Sequence, residues 1–280
     1  MNRLRAVLGA VLIACVGVGA GAALASVAGG AAEVKPPATR EEAQQLLRRG
    51  WELRGQGRYE EAIAALEMAY KWDPQLTLEW WVGRENRDGP WEHYFLAADG
   101  ELAHAYLDSG RAGSDAPLLE RARVLFEARL ERHPEGDALI ADVRTCRGLL
   151  ARIQSQEKLS ALAPLVLVNG RYVKWSSAAR VRDGRILVPA GELAEALGLT
   201  YETAADGRVV NIRSSRLITL TAESKVAGID GKDSPLDAAP ALRQGRLWVP
   251  ERFIAEACGG SVIWDANARV VSLILPPPTA

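Results

Sequence analysis

Residues 182–212, RDGRILVPAGELAEALGLTYETAADGRVVNI, align without a gap on residues 243–273, RQGRLWVPERFIAEACGGSVIWDANARVVSL, at a constant offset of 61. A duplication of this length constrains the fold strongly, because one hydrophobic pattern has to build a core twice. The same offset carries Asn169-Gly170 onto Asp230-Gly231, so the unit begins upstream, near Val166 and Ala227. Asn-Gly, Asp-Gly and Gln-Gly pairs punctuate its short β runs, which is the pattern of tight hairpins. Each copy therefore predicts a hairpin, a strand ending in Val-Pro, one short helix and a second hairpin. Pro189 and Pro250 are expected to start the helices, and Gly198 and Gly259 to end them. Leu193 and Leu197, matched by Ile254 and Cys258, lie four apart and predict the buried helix face, with Cys258 in the core.

Upstream the texture is helical. Thr39 is placed to cap a helix whose first turn carries Glu41 and Glu42. Residues 43–76, AQQLLRRGWELRGQGRYEEAIAALEMAYKWDPQL, resemble a tetratricopeptide repeat through Gly50, Gly57, Tyr59, Ala62, Leu66, Ala69 and Pro74. The resemblance implies two antiparallel helices, with Gly50 and Ala62 at the crossing, Gly57 ending the first helix and Pro74 stopping the second. A degraded second copy follows, with helices expected at 101–110 and 118–134 and seven extra residues, RAGSDAP, between them. A further helix at about 136–156 is expected to cap the open apolar face, with the first helices of the repeats lining a concave surface. Between the copies, Trp80, Trp81, Trp91, Tyr94 and Phe95 are concentrated in one stretch. Such rings either cover the core of a short solenoid or form a ligand platform.

The first 32 residues read as an export signal, with Arg3 and Arg5 followed by an uncharged run from Ala6 to Ala32. Ala23-Leu24-Ala25 predicts cleavage before Ser26. Two other outcomes stay open: Leu12-Ile13-Ala14-Cys15 resembles a lipobox with Cys15 as the lipidated residue, and the run is long enough to be an uncleaved anchor. Each places the rest of the chain outside the cytoplasm, in contact with the membrane only through this segment. With 34 basic and 35 acidic residues there is no excess positive charge for a nucleic-acid partner.

VLVNGRYV, GRILVPAGELAEALG and GRLWVPERFIAEACGGSVIWD resemble the copper amine oxidase N-terminal-like domain over roughly residues 164–276. The resemblance implies an appended, non-catalytic stalk module of exported bacterial proteins that holds no copper of its own. It also implies an arginine shortly after Val-Pro. Arg252 stands there in the second copy and Gly191 in the first.

Chemistry is poorly supplied. No histidine occurs after His133, so the β-rich half offers neither the imidazoles a copper site needs nor a base for a serine or cysteine nucleophile. His93, His104 and His133 are not at the i, i+4 spacing of a metal-binding helix. Cys146 lies among apolar residues of a predicted helix and is expected to be buried, with a bridge to Cys258 the less favoured alternative. No catalytic residue, metal or cofactor is therefore expected.

The expected fold class is α+β multidomain: helical repeat hairpins, then a duplicated β-hairpin/helix/β-hairpin domain. The expected boundaries are a signal at 1–25, a linker at 26–38, a tetratricopeptide-like domain at 39–158 and a stalk domain at 164–276, whose copies meet at about 216/217. The expected function is an envelope scaffold or adaptor for a protein or peptide, using Trp80, Trp81, Trp91, Tyr94 and Arg252. Binding of cell-wall polysaccharide through Trp80, Trp81, Trp91 or Trp175 is the alternative, and an enzyme the least favoured reading.

Overall fold

The computed structural model describes residues 35–82, 92–155, 158 and 161–276. The segment read as an export signal, with Cys15 in it, lies outside them. No helix of the described residues is long and apolar enough to cross a membrane.

Helix α1 (Arg40–Gly55) begins where expected: the Thr39 hydroxyl accepts the Glu42 N–H at 3.2 Å, and Glu41 and Glu42 face the positive end of the helix dipole. Gly57, at φ +74°, turns the chain into α2 (Tyr59–Trp72). The two helices meet along Ala43, Leu47, Gly50 and Leu53 on one side and Ala62, Ala65, Leu66 and Ala69 on the other. Gly50 is required by this approach, since a Cβ there would lie 2.4 Å from Leu66 Cγ. Gly50→Ala should therefore cost about 1 to 3 kcal/mol through overpacking, read as a fall in the chemical-denaturation midpoint at unchanged slope.

The second helical hairpin solves the problem of its seven extra residues by lengthening both arms. Helix α3 (Ala98–Gly113) runs past Gly110, and α4 (Ala116–Arg132) starts two residues earlier than the sequence pattern placed it. The turn shrinks to Ser114, at φ +52°, and Asp115, whose carboxylate accepts the Leu118 N–H at 3.1 Å. Gly110 consequently lies inside a helix, against Leu119, instead of ending one as Gly57 does. Helix α5 (Asp137–Ile153) follows and packs on α4.

Between the hairpins the aromatic stretch forms an antiparallel pair, β1 (Thr77–Val82) and β2 (Glu92–Ala97), registered Thr77 to Ala97 and Val82 to Glu92. Helical repeats alone did not predict this pair. Thr, Val and aromatic side chains suit a pleated surface, and here that local preference prevails.

In the β-rich half the duplication is visible element by element. The first copy contributes β3 (Leu165–Val168), β4 (Arg171–Tyr172), β5 (Arg180–Arg182), β6 (Arg185–Pro189), α6 (Ala190–Ala196), β7 (Thr200–Thr203) and β8 (Val209–Arg213). After the linking strand β9 (Leu217–Thr221), the second contributes β10 (Val226–Ile229), β11 (Lys232–Pro235), β12 (Ala241–Arg243), β13 (Arg246–Pro250), α7 (Glu251–Ala257), β14 (Ser261–Asp265) and β15 (Val270–Ile274). Asn169-Gly170, Asp183-Gly184, Asp230-Gly231 and Gln244-Gly245 all have positive φ at both positions, the geometry that matches the strand twist of a two-residue hairpin.

The copies interlock. β6 and β13 pair antiparallel about Val188 and Val249, the same position in each copy, at the centre of a sheet ordered β12-β13-β6-β5. The first hairpin of copy one joins the last hairpin of copy two, with β15 and β3 parallel, in the sheet β14-β15-β3-β4. On the other side β9 is inserted between β8 and β10, giving the order β11-β10-β9-β8-β7. Val166, Val188, Leu193, Val210, Ile212, Val249, Ile254 and Leu273 fill the core between these sheets. Leu193 and Ile254 are buried as expected, but Cys258 is only half-buried. It occupies the C-cap of α7, where the chain is already leaving the core.

The helical and β-rich parts share a core: Leu167, Ala268 and Val270 cluster with Phe126, Leu130, Cys146 and Leu150. Arg147 ties them further. Its buried guanidinium donates to Glu127 at 2.7 Å and to the carbonyls of Ala163 and Ala268 at 3.1 and 3.2 Å. The α+β architecture expected from the sequence is the one observed.

Candidate functional site

The aromatic stretch builds a cluster over α1. Trp80 on β1 stacks on Tyr94 of β2 with centroids 5.1 Å apart and planes at 12°. Trp51 of α1 meets both rings edge-on at 5.5 Å. The Arg48 guanidinium lies 5.2 Å from the Trp80 ring. With a stacked ring and a cation over it, Trp80 is engaged within the protein and packs against the helical core. Phe95 points outward and is 51 % exposed. Trp81 pairs with His93 in the strand register, and Trp91 lies outside the described residues. Trp51 and Arg48 were not among the residues singled out in the sequence. Their i, i+3 spacing on α1 was the available signal.

Arg252 lies in the other half of the chain and joins a different site. It lines a cleft of about 430 Å³ with Arg185, Arg216, Asp237, Phe253 and Glu256. Arg185 is paired there with Asp237 at 2.6 Å. The equivalent position in the first copy, Gly191, is closed by Tyr201, whose Cε1 lies 3.4 Å from where a Cβ would stand. The duplication has therefore diverged at this point, one copy carrying a guanidinium and the other a ring against the backbone.

Glu251 precedes Arg252 and is only 3 % exposed, with Oε2 lacking a hydrogen-bond partner among the described residues. Burial raises its pKa to about 7, although the backbone N–H groups of Glu251 and Arg252 and the Arg252 and Arg185 charges pull the other way. The folded chain thus holds a proton that the unfolded chain releases near pH 4.5. The contribution of Glu251 to stability falls as pH rises from that value to about 7 and no longer changes beyond it. That fall amounts to up to about 3 kcal/mol. Glu251→Gln should remove its share of the slope, gaining stability over the parent at pH 8 and little at pH 4, as read from denaturation midpoints across pH.

The remaining reactive side chains are held singly. Cys146 is fully buried, and burial, reinforced by Asp142 and Glu127, pushes its thiol up to about 12. Cys146 and Cys258 are both free thiols. His104 Nδ1 lies 2.8 Å from the Gly100 carbonyl and Nε2 3.2 Å from Asp142. Burial opposes protonation of this ring, but Asp142 outweighs it and raises the pKa. His93 faces Glu79 at 3.5 Å, and His133 caps the end of α4. Trp175 is half-buried against the β core. Among the described residues no three histidine, cysteine or carboxylate side chains gather where they could hold a metal ion.

An apolar groove of about 320 Å³ opens on the helical part, lined by Glu67 and Tyr70 of α2, Leu102 and Tyr106 of α3, and Val124 and Leu125 of α4. The sequence pattern had placed the concave surface on the first helices of the repeats. This groove instead lies where the two second helices flank α3. Val124 is 51 % exposed, and the Tyr106 hydroxyl donates to Glu67 at 2.5 Å on the rim.

No curated protein and no solved structure matches the chain. The family model of the copper amine oxidase N-terminal domain matches residues 167–273. The β-rich half of the chain is thus similar to a non-catalytic stalk domain.

Proposed function

We propose that the protein is an exported envelope scaffold, in which a tetratricopeptide-like helical part holds a protein partner and the stalk-like part supports it. The observation that carries this reading is the groove between α2, α3 and α4. Apolar side chains form its floor, and the rim carries Glu67, Glu120 and Arg121. That arrangement suits the apolar face of an amphipathic helix or peptide, with charges at the edge fixing its register. The match of residues 167–273 to a non-catalytic module supports a role without turnover. The internal engagement of Trp80 favours packing over the stacking of a sugar ring.

Export, the domain boundaries at about 39–158 and 164–276, and the envelope location are parts of this proposal. A photo-crosslinking side chain at position 124 tests it in cells. Adducts should contain one recurrent envelope protein and disappear on Leu125→Glu. No adduct above that from a crosslinker at exposed position 263 would set the reading aside.

A further inference from the structure

The central sheet presents two unlike faces. Ile186, Val188, Leu247 and Val249 enter the β core, whereas Leu187 and Trp248 pack with Ala241 as a small separate cluster on the other face. An open cleft of about 870 Å³ lies over that cluster. Its charged lining consists of Arg180, Arg182, Arg243 and Arg269 against the single carboxylate of Glu223. In a chain of formal charge −1 this is a marked local concentration of positive charge. Arg269 donates to the Leu162 carbonyl at 2.7 Å. Arg180 lies 5.8 Å from the Trp248 ring, and neither Arg180 nor Arg243 is paired with a carboxylate among the described residues.

Three observations define what fits. First, Glu223 is docked on Arg182 at 2.8 Å, so a carboxylate already sits in one of these guanidinium forks. Second, Arg182 and Arg243 are the same position in the two copies, each at the turn end of its hairpin. Because β6 and β13 are antiparallel, those turns lie at opposite ends of the sheet, and charges so spread match an extended anion better than a compact one. Third, Trp248 is only 5 % exposed and covered by Arg180, which leaves no aromatic face for a sugar. A peptide has another handle: β5 is an edge of the sheet, with Val181 53 % exposed beside the cleft. One end of an extended chain can pair with such an edge through its backbone before the chain crosses the sheet face.

We propose that this cleft binds an extended acidic peptide segment that crosses the outer face of the sheet from β5 towards β12, its carboxylates taken by Arg180 and Arg182 at one edge and by Arg243 at the other. Glu223 acts as a resident competitor at Arg182. The inference deepens the scaffold reading by giving a partner's chemistry and rests on that reading, but it uses a surface remote in sequence from the helical groove.

The test titrates the full chain into a labelled peptide of alternating Glu and Thr, with its Gln/Thr counterpart and polygalacturonate as comparisons, by fluorescence anisotropy at low and high salt. The Glu/Thr peptide should bind at least about ten-fold more tightly than the Gln/Thr peptide and weaken as salt rises. Arg180→Glu combined with Arg243→Glu should weaken it about ten-fold or more at unchanged melting temperature. Arg243→Ala should weaken it about two- to five-fold, and Glu223→Gln should tighten it about two- to three-fold. Equal binding of the two peptides, retained affinity in the double variant, or preference for polygalacturonate would each overturn the proposal. If crosslinking at position 124 still captures an envelope protein in the double variant while the peptide binds neither form, the scaffold reading stands and this cleft does not serve it.

Discussion

Replacing Arg147 by alanine is expected to lower stability by about 3 to 5 kcal/mol, a fall in melting temperature on the order of 10 °C. Arg147 is 3 % exposed and holds three groups from different parts of the chain: Glu127 on α4 and the carbonyls of Ala163 and Ala268. Removing it deprives the buried Ala268 carbonyl of this donor and unties it from Ala163 and Glu127, which lie nearer the surface. Glu127 is less affected than the carbonyls, because Arg123 also donates to it at 2.5 Å. The loss therefore falls on the junction between the helices and the sheet containing β15. Amide exchange should accelerate in α5 and around 268–270 while the paired strands β6 and β13 keep their protection. Uniform acceleration over the whole chain would mean that the junction is not a local unit.

Phe126→Ala should have an effect of the same size, about 3 to 5 kcal/mol, for a different reason. Phe126 is fully buried at the centre of the helical core, with the His104 ring meeting it edge-on at 4.9 Å. Its removal opens a cavity among helices that cannot close up, since α3 and α4 are already in close contact at Gly110 and Leu119. Phe126→Leu, which restores most of the volume, should recover more than half of the loss. Urea denaturation of the two variants side by side checks this, and equal losses would show that ring packing rather than volume sets the cost.

How far the fold could be read from the sequence depended on which forces act locally. The β-rich half was legible in detail, because hairpin turns need positive φ at two successive residues and Asn-Gly or Asp-Gly supplies it. The duplication then allowed each element to be read twice. Its interlocking was not legible, since the pairing of β15 with β3 and the insertion of β9 depend on how sheets close in space. The first helical hairpin was legible through Gly50, Gly57 and Pro74. In the second, the extra residues were read as a loop, yet Ala, Arg and the capping Asp115 allow both helices to extend through them.

The candidate site was less legible. Trp80 and Tyr94 stand together in the structure, but Trp51 and Arg48 complete their surroundings from another element, and Arg252 belongs elsewhere. The arginine cleft escaped the sequence reading because its charges come from two copies of one unit. Each copy contributes one or two arginines to an ordinary strand, and only the antiparallel pairing of β6 and β13 assembles them. The overall charge balance hid this concentration.

The proposed role is to hold a protein partner without transforming it. Passing solubilised envelope proteins and purified wall polysaccharide separately over the immobilised full chain measures this directly. A defined protein should be retained, and released by Leu125→Glu or by the Arg180→Glu, Arg243→Glu pair, with no retention of polysaccharide. Retention of polysaccharide with no protein bound would contradict it.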